Sequence, residues 1–111
     1  MSLTYQDPSI DHDESVRLLT SGAQEDVICA LISIGLNEPD GSWAEEICAK
    51  YLSSETEAIA ASAITALGHI ARRHGRLNTE TVLPALENLR GRMPSLQGVI
   101  EDTMDDIEMF T

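Results

Sequence analysis

Five carboxylates crowd the C-terminal end of the chain: Glu101, Asp102, Asp105, Asp106 and Glu108, with no Lys or Arg after residue 92. On a helix, Asp102 with Asp106 and Glu101 with Asp105 are neighbours one turn apart, and each like-charged pair costs roughly 0.2–0.5 kcal/mol. The chemistry such a block supports is capture of cations. Three uses are open: docking the Lys and Arg side chains of a partner, solubilising the end of a helical stack, or pairing internally with Arg90 or Arg92. General acid–base work needs a carboxylate pair in a sheltered cleft with displaced pKa values, which a run along one helix does not supply. The histidines offer no better catalytic centre. Asp11-His12-Asp13-Glu14 collects metal-ligating residue types, but consecutive residues do not converge on one ion, so the run reads as the solvated start of a helix. His69 and His74 are five residues apart, off the spacing that puts two ligands on one helical face, and His69 reads as a polar-face contact residue. No glycine-rich phosphate loop, Cys-x-x-Cys pair or serine-nucleophile motif occurs. The expectation is therefore no catalytic residue, no metal and no cofactor.

The charge balance points the same way. Seven basic and 19 acidic residues give a formal charge of −12. That density repels nucleic acid and anionic membrane, whose binding relies on Lys and Arg displacing counterions from phosphates. A basic protein is the natural complement. The charge is uneven: five arginines against Glu80 and Glu87 leave residues 72–92 at +3, between acidic segments on either side. Arg72, Arg73 and Arg76 lie where cations favour the end of a helix. Glu55 and Glu57 precede a helix start and join the last-helix acids as candidate partner contacts. Trp43 and Tyr51 could anchor an interface, although a lone Trp at a helix start commonly packs inward. No window approaches the roughly 18 apolar residues of a membrane span, and the first residues lack the pattern of a signal peptide. A cytoplasmic protein is expected, with Cys29 and Cys48 as reduced core thiols.

The elements that must position these side chains are helices. A 111-residue chain that is 42% apolar but only 4% aromatic has to build its core from Ala, Leu, Ile and Val, which suits close helix packing. Residues 1–11, with Pro8 and no sustained period, read as a flexible arm before a single domain over 12–111. Helical spacing predicts segments from Asp13 to a stop at Gly22, from Ala23 to Leu36, and from Trp43 to Leu52 behind a Ser42/Glu45 capping box. A fourth, with Ile59, Ala63, Leu67, Ile70 and Ala71 on one face, follows a second Ser54/Glu57 box and ends at Gly75. A fifth starts at Asn78 or Thr79, and a sixth runs from Ser95 to Met109 with Leu96, Ile100, Met104 and Ile107 inward. Gly35, Asn37 and Pro39 mark the end of the second segment, and Gly91 and Pro94 bracket the break before the sixth.

Ala30-Leu31-Ile32-Ser33-Ile34-Gly35 overlays on Ala63-Ile64-Thr65-Ala66-Leu67-Gly68 at an offset of 33 residues, and a looser third copy follows at 37. The run from Leu52 to Ala71, with Ile59, Ala63, Ala66, Leu67 and Gly68, resembles the HEAT repeat, a two-helix solenoid module. Ala60 stands where that pattern usually has Arg, and Ser53 and Ser54 replace the Asp of its turn. The resemblance implies an all-α domain of three antiparallel helix pairs stacked as a short solenoid, which acts by binding protein. By size, charge and fold, the chain is also similar to bacterial immunity proteins of contact-dependent growth inhibition. That likeness implies a monomer binding a basic toxin, such as a nuclease, in a 1:1 complex through Glu101, Asp102, Asp105, Asp106, Glu108, Glu55, Glu57 and His69. The alternative is a scaffold or adaptor that holds a peptide or subunit around Thr65, His69 and Arg72.

Overall fold

Asp11 accepts a hydrogen bond from the Glu14 amide (2.8 Å) and so starts the first helix. The computed structural model describes residues 11–111. Of the arm expected over 1–11, residues 1–10 therefore lie outside the described residues, and Asp11 is a helix cap. The described chain is all-helical, with no strand: α1 His12–Ser21, α2 Gln24–Asn37, α3 Gly41–Tyr51, α4 Glu57–His74, α5 Thr79–Arg92, a 3-10 turn Pro94–Leu96, and α6 Gln97–Phe110. Gly22 and Gly75 take left-handed backbone angles (φ 76° and 70°) and end α1 and α4 as predicted.

Two local readings need correction. The cap of α3 is Asp40, whose carboxylate accepts from the Trp43 amide at 3.1 Å, so Ser42 falls inside the helix. Before α4, Thr56 takes the cap position, while Ser54 accepts from the Thr56 amide and shapes the preceding turn. The two breaks fall where expected, α2 ending at Asn37 and α5 at Arg92 before Pro94, with Gly35 and Gly91 inside the last turns. Gly35 is buried because α4 needs its surface: a Cβ there would stand 2.8 Å from Ala66 Cα.

The core is organised around α4, which packs against α2, α3 and α6. Ala60, Ala63, Ile64, Ala66, Leu67, Gly68, Ile70 and Ala71 are all buried, and five of these eight carry a Cβ or less. Small residues let neighbouring helices approach closely without voids. Leu31 and Ile34 of α2, Ala44 and Cys48 of α3, Val82, Leu86 and Leu89 of α5, and Ile100 and Ile107 of α6 fill the remaining space. Ile59 is only half-buried. On α6, Met104 packs against the core partly buried, and Thr103 beside it is buried as well, its hydroxyl donating to the Ile64 carbonyl at 3.3 Å. Cys48 is buried as expected, but Cys29 lies on the exposed side of α2 and is no core thiol.

The contacts between alternate helices keep chain order. From the start of α4 onward, Glu57 meets Ser95, the Ile64 carbonyl meets Thr103, and Arg72 meets Asp106. Glu45 accepts from the Asn78 amide near the starts of α3 and α5, and Arg92 donates to the Leu52 carbonyl near their ends.

The two helical glycines separate packing from propensity. Gly35→Ala gains helix propensity but drives a methyl into the Ala66 backbone, and is expected to destabilise by about 1–3 kcal/mol. At Gly68 a Cβ would meet Asp106 Oδ2 at 3.4 Å and Thr103 at 3.5 Å, ordinary contact distances. Gly68→Ala should therefore be neutral or stabilise by up to about 1 kcal/mol. Urea unfolding of the two variants checks the opposite signs.

Candidate functional site

The acids of α6 divide into two groups. Asp106 is half-buried and bound to the Arg72 guanidinium at 3.1 Å. Glu101 accepts from Gln97 Nε2 at 3.0 Å and lies 3.7 Å from Arg90 Nη1. Asp102, Asp105 and Glu108 are exposed, and no ion pair among the described residues involves them. Glu57 is exposed and accepts from the Ser95 hydroxyl at 2.8 Å, beside the start of α6; Glu55 is exposed in the turn just before α4. The packing of α4 on α6 thus sets Glu57 beside the start of α6 and Asp106 beside Arg72 near the end of α4, so the predicted acids are spread along the pair rather than gathered at one point. Internal pairing with Arg90 does occur, whereas Arg92 turns instead to Leu52 and Asn88.

His69 sits half-buried on α4, one turn before Arg73 and three residues before Arg72. Burial lowers its pKa below the ordinary 6.5; the neighbouring Arg72 and Arg73 charges act in the same direction, and Asp106 opposes them. The imidazole therefore belongs to the neutral form of the folded protein. It can donate or accept a hydrogen bond beside the Arg72–Asp106 pair without adding charge.

A polar network at the α2–α3 junction was not foreseen. Glu38 is only 6% exposed, and its carboxylate contacts His12 Nδ1 at 3.0 Å and accepts from the Asp40 amide at 3.1 Å. The His12 ring also lies against Trp43, with centroids 4.1 Å apart and tilted by 45°. His12 is therefore the exposed first residue of α1, as expected, and in addition a tertiary contact, and Trp43 packs within the molecule. From α4, the Arg73 guanidinium donates to the Gly35 and Glu38 carbonyls, both at 3.1 Å, and His74 Nε2 lies 3.2 Å from the Glu38 carbonyl. These are carbonyls that the end of α2 leaves without helical partners. Contacts that span 26 to 38 residues left only one sequence signal: cations in the last turn of α4.

Two open clefts flank this network. One, of about 560 Å³, is bounded by His12, Ser15, Ile34 and Glu38; the other, of about 520 Å³, by Ser42, Glu45, His74 and Arg76. Among the described residues no group of three or more His, Cys, Asp or Glu side chains is placed to hold a metal ion. Burial pushes the Cys48 thiol up to about 12, so it stays protonated and unreactive. The arrangement that can do something is the set of outward carboxylates on α6, with a neutral His69 beside it. No family model matches the chain, and neither a curated protein nor a solved structure does.

The lowered pKa of His69 has a definite consequence for stability. On unfolding, the imidazole regains its ordinary pKa, so between the two values the unfolded chain binds the extra proton. Its contribution is fully present above pH 6.5 and is lost as pH falls through that value toward the lower folded pKa. Thermal melts across this window should find His69→Gln less sensitive to acidification than the parent. Equal pH slopes for the two proteins would remove the assignment.

Proposed function

We propose that this chain is an acidic protein-binding module that neutralises a basic toxin domain, a nuclease in the first instance, by covering its active site in a 1:1 complex. The observation that carries the reading is the exposure of Asp102, Asp105 and Glu108 on α6 without ion-pair partners among the described residues. A nuclease surface that binds phosphates presents Lys and Arg, and carboxylates at similar spacing can occupy those positions. The net charge of −12 adds long-range steering toward such a surface. No part of this reading asks for a metal, a cofactor or a catalytic residue in the chain itself.

The frame for these acids is read as a short HEAT-like solenoid of three antiparallel pairs: α1 with α2, α3 with α4, and α5 with α6. Two features support it. The ordered contacts of α4 with α6 and of α3 with α5 are those of alternate helices running in the same direction. Gly35 abuts Ala66 of α4, and its counterpart 33 residues on, Gly68, abuts Thr103 and Asp106 of α6. In a stacked solenoid, each repeat offers the same flank to the next.

A scaffold reading keeps a specific observation in its favour, since Thr65, His69 and Arg72 form a partly exposed strip on α4. The two readings differ in their response to salt. Isolation of the protein from its native cell at low salt is expected to bring down a basic partner that is released as ionic strength rises. Asp102→Asn with Asp105→Asn and Glu108→Gln should slow association at least about tenfold while leaving the melting temperature nearly unchanged. A complex that tolerates high salt and these changes, yet weakens on Thr65→Lys, would select the scaffold.

A further inference from the structure

The apolar surface of α2 joins the acidic surface of α6 into one docking face. Cys29, Ile32 and Leu36 are exposed at spacings of three and four residues, which places them on a single stripe of α2. Ile32 is 41% exposed and Leu36 37%, while Leu31, Ile34 and Gly35 beside them are buried. Scattered single apolar residues are ordinary on a protein surface, but three in line on one helix make a patch.

The two flanking glycines give its direction. Gly35 turns toward α4 and Gly68 toward α6, so the residues three before and one after each glycine lie on equivalent sides of their helices. Those residues are Ile32 and Leu36 on α2, and Thr65 and His69 on α4. The 37-residue offset carries Thr65 and His69 to Asp102 and Asp106 on α6. The Arg72–Asp106 bond bridges α4 and α6 along this same side. Across it, the surface changes from aliphatic on α2, through small and polar on α4 at Ala58, Ser62 and Thr65, to anionic on α6. With helices packed about 8–10 Å apart, the apolar and anionic edges are about 16–20 Å from each other.

We propose that this face binds a basic partner protein through two coupled contacts: an aliphatic anchor seated on Ile32 and Leu36, and Lys or Arg side chains about 16–20 Å away on Asp102 and its neighbours. The proposal rests on the charge-based reading above and adds the second contact. Charge complementarity selects this occupant. A second copy of the chain would bring −12 against −12, and nucleic acid or an anionic membrane would face the same repulsion. The aliphatic contact supplies what exposed charge pairs lack, because apolar burial slows dissociation while screened carboxylates mainly speed encounter.

Cys29 gives a direct readout, since it lies within the stripe while Cys48 is buried and protonated. The probes are two synthetic peptides of about 18 residues, long enough as a helix at about 1.5 Å per residue to reach both edges. One is built of Leu and Lys, and the other carries the same lysines with Ser in place of Leu. The Leu-containing peptide is expected to bind at least about tenfold more tightly, the change that burial of one aliphatic side chain supplies. It alone should slow alkylation of Cys29 by N-ethylmaleimide. Ile32→Ser with Leu36→Ser should erase the preference and leave the Ser/Lys peptide's affinity unchanged, which also reports that the variant is folded. Asp102→Asn with Asp105→Asn should weaken both peptides. If the preference survives the Ile32 and Leu36 changes, or Cys29 reacts equally fast with and without the Leu/Lys peptide, the apolar contact is overturned while the charge reading stands. Indifference of both peptides to the Asp changes would overturn the charge reading itself. Protection of Cys29 in the free chain, or protection that grows with protein concentration, would mean that the chain or a second copy covers the stripe, and would also overturn the proposal.

Discussion

The burial of α4 on several sides is the constraint from which the rest of the structure follows. A helix packed against α2, α3 and α6 has little surface left for large side chains, and this one answers with Ala60, Ala63, Ala66, Gly68 and Ala71. Its bulk is confined to Ile64, Leu67 and Ile70. The neighbouring helices close down until backbone nearly meets backbone, as at Gly35 and Ala66. What remains of α4 outside the core is one narrow side carrying Thr65, His69 and Arg72. That side is polar because its width leaves room for little else between the helices on either flank.

Every helix also ends in carbonyls without intrahelical partners, and where these ends meet other helices the arginines serve them. Arg73 serves the carbonyls at the end of α2, and Arg92 serves the Leu52 carbonyl after α3. Arg72 and Arg90 hold acids of α6, and Arg17 pairs with Glu14 within α1. Of the seven basic residues, only Lys50 and Arg76 lack an ion pair or a donated hydrogen bond among the described contacts. The positive segment over residues 72–92 is therefore largely turned to internal work. An exposed surface dominated by carboxylates is the result.

The features legible in the sequence were those decided within a few residues. Gly22 and Gly75 end helices because a left-handed residue is required there, and no distant contact competes. Gly35 misleads for the opposite reason: its role is set by Ala66, 31 residues away, and a glycine chosen for close approach looks like one chosen for a turn. Ser42 and Glu45 had capping-box spacing, but Asp40 lies two residues earlier and its carboxylate reaches the Trp43 amide first. Glu38 gave no local sign that it would be buried, since His12 and Arg73 come to it from different helices. Cys29 followed the apolar period of α2 and still faces outward, because α2 is covered mainly by α1 and α4 and only briefly by α3.

The acidic block at the C-terminus shows how exposed charge and internal pairing coexist on one helix. Each like-charged pair on α6 has one member tied to a cation from another helix: Asp106 to Arg72 beside Asp102, and Glu101 to Arg90 beside Asp105. A cation beside one member offsets most of the intrahelical repulsion, so the other can stay exposed without destabilising the helix. Solubility alone would be met by any scatter of charges. Here the pairing leaves Asp102 and Asp105 as single carboxylates about one helical turn apart on a helix held in the core by Ile100, Thr103 and Ile107. With the backbone fixed, the docking proposed above would cost these carboxylates side-chain freedom only.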